Sequence, residues 1–152
     1  MDAIEKKDAS IKGVSISPLK IINTKGGDVL HALKSHEDHF QGFGEAYFSK
    51  IESGAIKAWK RHQKMTLNLI VPIGAIKFVI YDDREDSKTK GCFQSVKLSE
   101  ENYKRLNIPP MLWVGFYGQG EGLNMLLNLA NIPHHPEESD HMDIAGIEYD
   151  WN

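Results

Sequence analysis

The residues best suited to chemistry lie between positions 54 and 86, in the sequence GAIKAWKRHQKMTLNLIVPIGAIKFVIYDDRED. Alternate side chains of a β-strand point to the same face, so an unbroken strand here would carry one polar stripe. The stripe would consist of Lys60, His62, Lys64, Thr66 and Asn68. Polar groups that face the inside of a barrel must be hydrogen-bonded, hydrated or in contact with a ligand. A ligand site and a solvated outer strand face are both consistent with this pattern.

The elements that would position these residues are β-strands. Short apolar segments alternate with turn-forming residues such as Pro72-Ile73-Gly74, and hardly any segment has the 3.6-residue period of an amphipathic helix. The pattern predicts an all-β fold, either a sandwich or a barrel. The predicted strands cover residues 14–17 continuing into 20–23, then 29–33, 45–51, 55–59, 66–71, 75–81, 93–98, 105–108, 113–117 and 123–131.

Composition excludes several classes of protein. The chain has 152 residues, 41% hydrophobic and 26% charged, which is typical of one globular domain. We expect residues 1–11 to form a polar tail rather than a signal peptide, and residues 12–152 to form a single domain. The net charge of −3 argues against a nucleic-acid partner, and the longest apolar run is too short to span a membrane. Cys92 is the sole cysteine, so no internal disulfide can form and a cytoplasmic location is expected.

Six runs of residues resemble one known family. The runs are GDVLHALK, FGEAYFS, IKAWKRHQKMTLN, GAIKFVIYDDREDS, IPPMLWVGF and IEYDW. Together they resemble the short branch of the dTDP-4-dehydrorhamnose 3,5-epimerase family over about residues 12–152. The resemblance implies a cupin-type double-stranded β-helix jelly roll, usually a homodimer, with a nucleotide-sugar pocket inside the barrel.

The cupin metal ligands are mostly replaced in this chain. In metal-binding cupins the two motifs supply three histidines and a glutamate. The resemblance places Lys60 at the first histidine and Val114 at the last, with Thr66 or Leu67 at the glutamate, so that only His62 remains. One histidine cannot build a tetrahedral metal site. We therefore expect no metal and no cofactor.

Epimerisation beside a ketone needs a base for the acidic C–H proton, a donor for the enolate oxygen and an acid on the opposite sugar face. In the family the base is a histidine oriented by an aspartate, and the acid is a tyrosine. The resemblance places these groups at Lys60, at or near Asp143, and at Asn128. Because asparagine cannot supply the proton, we expect no acid on the opposite face.

The predicted catalytic residues are therefore Lys60, His62 and Asp143. A histidine has an ordinary pKa suited to proton transfer at neutral pH. His62 lies two residues beyond the family's base position, however, which is about 6.6 Å along a strand.

Basic side chains near the stripe could bind the diphosphate of a nucleotide sugar. Arg61 and Lys64 are predicted to do so, because bidentate Arg and point-charge Lys both suit phosphate. Exposed strand-edge charges are the alternative. The other predicted substrate-binding residues are Thr66, Asn68, Asn128 and His134. The resemblance implies that the loop containing His134 places an aromatic side chain over the nucleotide base, and either His134 or His135 is suited to stack there.

Three functions fit these observations. The first is an epimerase or isomerase that acts on a dTDP-4-keto-6-deoxy sugar through an enolate. The second is a cupin-type 3,4-ketoisomerase, which moves a carbonyl by the same chemistry. The third is a catalytically silent dimer that binds a nucleotide sugar.

Overall fold

The computed structural model describes residues 8–152, and its regular elements are twelve β-strands and two short 3-10 turns. The strands are β1 (Ser15–Pro18), β2 (Ile21–Thr24), β3 (Gly27–Leu30), β4 (Glu45–Ile51), β5 (Ile56–His62), β6 (Leu67–Ile73), β7 (Ala75–Tyr81), β8 (Phe93–Ser99), β9 (Lys104–Ile108), β10 (Trp113–Gly118), β11 (Asn124–Ala130) and β12 (Ser139–His141). The 3-10 turns are Pro136–Glu138 and Ile144–Gly146. The predicted all-β fold is confirmed. None of the described residues forms a helix long and apolar enough to cross a membrane.

Ten of the strands form two five-stranded sheets in which neighbouring strands are antiparallel. One sheet, here called sheet I, has the order β1-β9-β6-β11-β4, and the other, sheet II, has the order β12-β5-β10-β7-β8. Strands β2 and β3 form a separate hairpin.

Of the predicted tail, residues 8–11 are described; Ile11 is buried in the core and its backbone N–H donates to Gln94.

The main core lies between the two sheets and is built by strict alternation along the strands. Inward side chains come from β6 and β9 in sheet I and from β7 and β10 in sheet II. They include Leu67, Leu69, Val71, Leu106, Ile108, Ile76, Phe78, Ile80 and Val114. A second core covers the outer face of sheet II, where Trp59 and Trp113 pack against Ile147 and Trp151 of the C-terminal segment.

The alternation on β5 decides which side chains reach the space between the sheets. Trp59 belongs to the outer core, and Arg61 lies over the outer face of Trp113, 4.5 Å from its ring centre. Lys60 and His62 alternate with these two residues along β5 and therefore point inward. Partner strand β10 follows the same pattern, since Val114 lies opposite Lys60 and Trp113 lies opposite Arg61.

Candidate active site

A cavity of about 410 Å³ lies between the two sheets and contains most of the inward polar groups. Sheet I lines it from β4, β6 and β11, and sheet II lines it from β5 and β10. Leucine, valine and phenylalanine side chains form much of the wall. The polar lining residues are Glu45, Tyr47, Ser49, Lys60, His62 and His134. An apolar pocket with a few convergent polar groups is typical of a small-molecule site.

His62 and Glu138 form a buried pair at this inner cavity. His62 Nδ1 lies 2.7 Å from Glu138 Oε1, and the two residues are 6% and 7% exposed. The other carboxylate oxygen of Glu138 accepts the backbone N–H groups of Lys64 at 2.9 Å and Met65 at 2.8 Å. Because three donors fix the carboxylate, it holds the imidazole in one orientation. With Nδ1–H directed at Glu138, the lone pair of Nε2 is left for another partner.

Burial, hydrogen bonds and neighbouring charges together set the protonation of this pair. Burial lowers the pKa of His62, the hydrogen bond and charge of Glu138 raise it, and the charges of Lys60 and His134 lower it; the net pKa lies below 6.5. Burial raises the pKa of Glu138, but hydrogen bonds from His62 and two backbone amides lower it below its ordinary value. At neutral pH the pair is therefore an ionised carboxylate beside a neutral imidazole, which is the state a general base requires.

Lys60 joins the inner cavity to a second one. This outer cavity, of about 680 Å³, is lined by Lys57, Lys60, His141 and Asp143 among others, and it shares Lys60, Val114 and Phe116 with the inner cavity. The half-buried Lys60 side chain therefore stands where the two spaces meet. A ligand with two parts could occupy both.

The single polar stripe predicted for residues 60–68 is wrong beyond His62. A bend at residues 63 and 64 separates β5 from β6 and resets the alternation, so that Leu67 and Leu69 line the inner cavity instead. The Asn68 side chain is hydrogen-bonded within sheet I: its Nδ2 donates to the carbonyl of Leu129, and its Oδ1 accepts from Nδ2 of Asn107. The Thr66 hydroxyl donates to Gln41. Neither Thr66 nor Asn68 lines the cavity, which corrects the prediction that they face the barrel interior.

Three other predicted residues lie away from the inner cavity. Arg61 Nε and Nη2 donate to Asp140 at 3.0 and 2.8 Å, so its guanidinium already has a carboxylate partner on the outer face of sheet II. Lys64 is exposed in the bend after β5. The Asp143 carboxylate accepts the backbone N–H of Ala145 at the start of a 3-10 turn, beside the outer cavity. The carboxylate partner of His62 is Glu138, not Asp143.

Asn128 is fully buried and touches the site through a tyrosine. Its side-chain oxygen accepts the backbone N–H of Asn68 at 3.1 Å, and its Nδ2 donates to the Tyr47 hydroxyl at 3.0 Å. Tyr47 on β4 lies directly opposite Asn128 on β11. His134 lines the inner cavity from the loop after β11, and its backbone N–H donates to Glu45.

Sequence reasoning missed several residues of the site, among them Tyr47 and Glu138. Tyr47 had a detectable signal, because Glu45, Tyr47 and Ser49 alternate with outward residues on β4. Glu138 had none, since it ends a 3-10 turn that lies 76 residues from His62. Among residues 8–152, no three His, Cys, Asp or Glu side chains are grouped so that they could hold a metal ion.

The chain is similar to known proteins both in sequence and in structure. No protein-family model matches the chain. The probable low-salt glycan biosynthesis epimerase Agl13 of Haloferax volcanii is 30% identical over 149 residues, covering 94% of this chain and 96% of the relative. The crystal structure of a dTDP sugar isomerase from Desulfovibrio desulfuricans G20 is 40% identical with a TM-score of 0.89, covering 93% of this chain and 92% of its own.

A more distant structure shares the fold. The dTDP-4-dehydrorhamnose 3,5-epimerase of Elizabethkingia anophelis NUHP1 is 17% identical, with a TM-score of 0.80 over 95% of this chain and 84% of its own. The cupin-type jelly roll expected from the sequence is thereby confirmed.

The His62–Glu138 pair leads to a prediction about pKa. In Glu138→Gln the side chain keeps its size but loses the charge that raises the pKa of His62, so this pKa should fall further below 6.5. The His62 ring proton shift, followed by NMR between pH 4 and pH 8, measures the change. Glu137→Gln removes an exposed neighbouring charge and should leave His62 nearly unaffected. An unchanged or raised His62 pKa in Glu138→Gln contradicts the assigned pairing.

Proposed function

The chain belongs to the dTDP-4-dehydrorhamnose 3,5-epimerase family of carbohydrate epimerases and isomerases, and we propose that its substrate is a dTDP-linked 4-keto-6-deoxyhexose. The observation that carries the proposal is the neutral imidazole of His62, held by Glu138 at the wall of a largely apolar cavity. A C–H proton beside a ketone is acidic enough for such a base, provided that the enolate oxygen is stabilised.

His62 is the base in this mechanism, and Glu138 orients it. While Nδ1–H is hydrogen-bonded to the Glu138 carboxylate, Nε2 removes the proton from the carbon beside the carbonyl. Glu138 then stabilises the imidazolium that forms, because its ionised carboxylate is 2.7 Å away. This assigns to Glu138 the orienting role that the resemblance placed at or near Asp143.

Lys60 stabilises the negative charge that develops on the carbonyl oxygen. Its position at the junction of the two cavities places an ammonium beside a sugar that enters the inner cavity. The ammonium's attraction is greater for an enolate oxygen than for a ketone, so it lowers the barrier rather than only tightening binding. His62 thus removes the proton, and Lys60 on the same strand face stabilises the enolate that results.

The nucleotide part of the substrate occupies the outer cavity. Lys57 and His141 line this cavity and suit a diphosphate, whereas Arg61 is already paired with Asp140. Lys64 is exposed in the bend and remains available only to a part of the ligand outside the barrel. His134, at the rim of the inner cavity, is the proposed aromatic contact of the ligand.

A second copy of the chain is proposed to cover the exposed apolar side chains at the β4 edge of sheet I. Phe43 and Phe48 are 65% and 63% exposed, and β4 is an edge strand. The β2–β3 hairpin stands apart from both sheets with Val29 half exposed. An isolated hairpin and an uncovered edge are marginal by themselves. We propose a homodimer in the cytoplasm, where Cys92 stays a free thiol.

Solvent exchange tests the proposed chemistry. With a dTDP-4-keto-6-deoxyhexose in D₂O, the wild-type protein should place deuterium on the carbon beside the carbonyl, as followed by NMR. His62→Asn should lower the exchange rate at saturating substrate by about 10²–10⁴-fold, the usual contribution of a positioned base. His36→Gln changes an exposed histidine outside the cavity and serves as the matched control.

Two results would count against this proposal. If His62→Asn stays folded and exchanges at the wild-type rate, His62 is not the base. If the wild-type protein binds such sugars but exchanges with none of them, the protein is a nucleotide-sugar-binding dimer without this activity.

The proposed dimer has its own test. Light scattering after size-exclusion chromatography should give about twice the 17.2 kDa mass of one chain. Phe48→Glu should shift the mass towards that of a monomer, because it places a charge in the covered face. Ile144→Glu alters an equally apolar exposed residue of the C-terminal segment and should not. A monomeric wild-type protein contradicts the dimer.

A further inference from the structure

Tyr47 faces the inner cavity from the wall opposite His62. It lies on β4 in sheet I, whereas His62 lies on β5 in sheet II, and both side chains line the same cavity. A sugar ring held between the sheets therefore has the imidazole on one side and the phenol on the other. The site otherwise lacks a neutral hydroxyl acid, since the remaining hydroxyl of its lining belongs to Ser49.

The hydrogen bond from Asn128 determines what the phenol can do. The amide of Asn128 cannot be reversed, because its oxygen accepts the backbone N–H of Asn68 at 3.1 Å. The NH₂ group must therefore face Tyr47, and the phenol oxygen accepts at 3.0 Å. Since this bond uses the phenol oxygen as an acceptor, the phenol's own proton remains free to be donated.

We propose that Tyr47 is the proton donor that completes the reaction on the sugar face opposite His62, and that Asn128 is the residue that positions it. This inference rests on the proposed function and adds to it the second proton transfer. It also replaces the expectation that no acid stands on the opposite face.

Inversion of one carbon requires two proton transfers, one on each face of the sugar. His62 Nε2 takes the proton, and the C–H bonding pair becomes the enolate stabilised by Lys60. Tyr47 then gives its O–H proton to the opposite face of the same carbon, where a new C–H bond forms. The enzyme is left with an imidazolium and a phenolate, and solvent removes one proton and supplies the other. No oxidation or reduction takes place.

The surroundings of Tyr47 support this role at both stages. Burial raises the pKa of the phenol, the Asn128 hydrogen bond lowers it, and the charges of Glu45 and Glu138 raise it; the net pKa is above 10.0. The phenol therefore carries its proton at neutral pH until the enolate forms. Afterwards the Asn128 NH₂ group stabilises the phenolate, because a donor bonds more strongly to a charged oxygen than to a neutral one.

Tyr47→Phe separates inversion from exchange. With a dTDP-4-keto-6-deoxyhexose in D₂O, the variant should invert the carbon about 10²–10⁴-fold more slowly. Exchange should continue near the wild-type rate, because His62 can return deuterium to the face from which it took the proton. Tyr103→Phe is the matched control: it removes a hydroxyl that donates to His31 outside the cavity, and should retain both activities.

Asn128→Asp provides a second variant. It keeps the acceptor for Asn68 but replaces the NH₂ donor by a carboxylate oxygen, which accepts a hydrogen bond from the phenol O–H and holds that proton away from the sugar. Inversion should fall while exchange persists, with the thermal midpoint recorded for every variant to verify folding.

The outcomes distinguish this inference from the proposed function. Loss of inversion with retained exchange supports Tyr47 as the acid. Wild-type inversion in folded Tyr47→Phe overturns the inference but leaves the proposed function intact. Equal loss of inversion and exchange in folded Tyr47→Phe also overturns it, since the phenol then serves binding or the first step. Absence of exchange in the wild-type protein refutes the proposed function itself.

Discussion

The buried carboxylate of Glu138 links the loop before β12 to the end of β5, and the site depends on this link. It accepts three N–H donors, two from the backbone after β5 and one from the His62 ring. A carboxylate that is 7% exposed is costly unless such donors compensate for its lost hydration. The same interactions stabilise the bend at residues 63 and 64 and fix the imidazole. The hydrogen bonds that stabilise the local fold are therefore the same ones that orient the base.

The two-sheet architecture supplies the second requirement of the chemistry. Epimerisation needs proton transfer on both faces of one ring, and a cavity between two facing sheets has two walls by construction. Sheet II contributes His62 and Lys60 from β5, and sheet I contributes Tyr47 from β4. The register of β4 with β11 places Asn128 directly opposite Tyr47, so the phenol's hydrogen bond follows from strand pairing. Because both residues lie on strands, their positions are more closely fixed than loop residues would allow.

Much of the fold could be predicted from the sequence, because strand alternation and turn residues are local signals. Lys60 and His62 could be placed on one face because they lie two positions apart on a single strand. The prediction failed at Thr66 and Asn68 because a bend changed the register, and register errors of one residue exchange the two faces completely. Glu138 could not be found by any local pattern, since its contact with His62 spans 76 residues. Tyr47 was visible as part of an alternating strand, but its pairing with Asn128 is a property of the folded sheet.

In the proposed complex one sugar ring lies between the two sheets, with His62 and Tyr47 on opposite faces of it. A crystal structure with a bound dTDP-6-deoxyhexose, which lacks the reactive ketone, tests this most directly. We expect the hexose in the inner cavity, with His62 Nε2 and the Tyr47 hydroxyl each within about 3–3.5 Å of the same ring carbon from opposite faces. A hexose outside the inner cavity, or one with both groups on the same face, would contradict it.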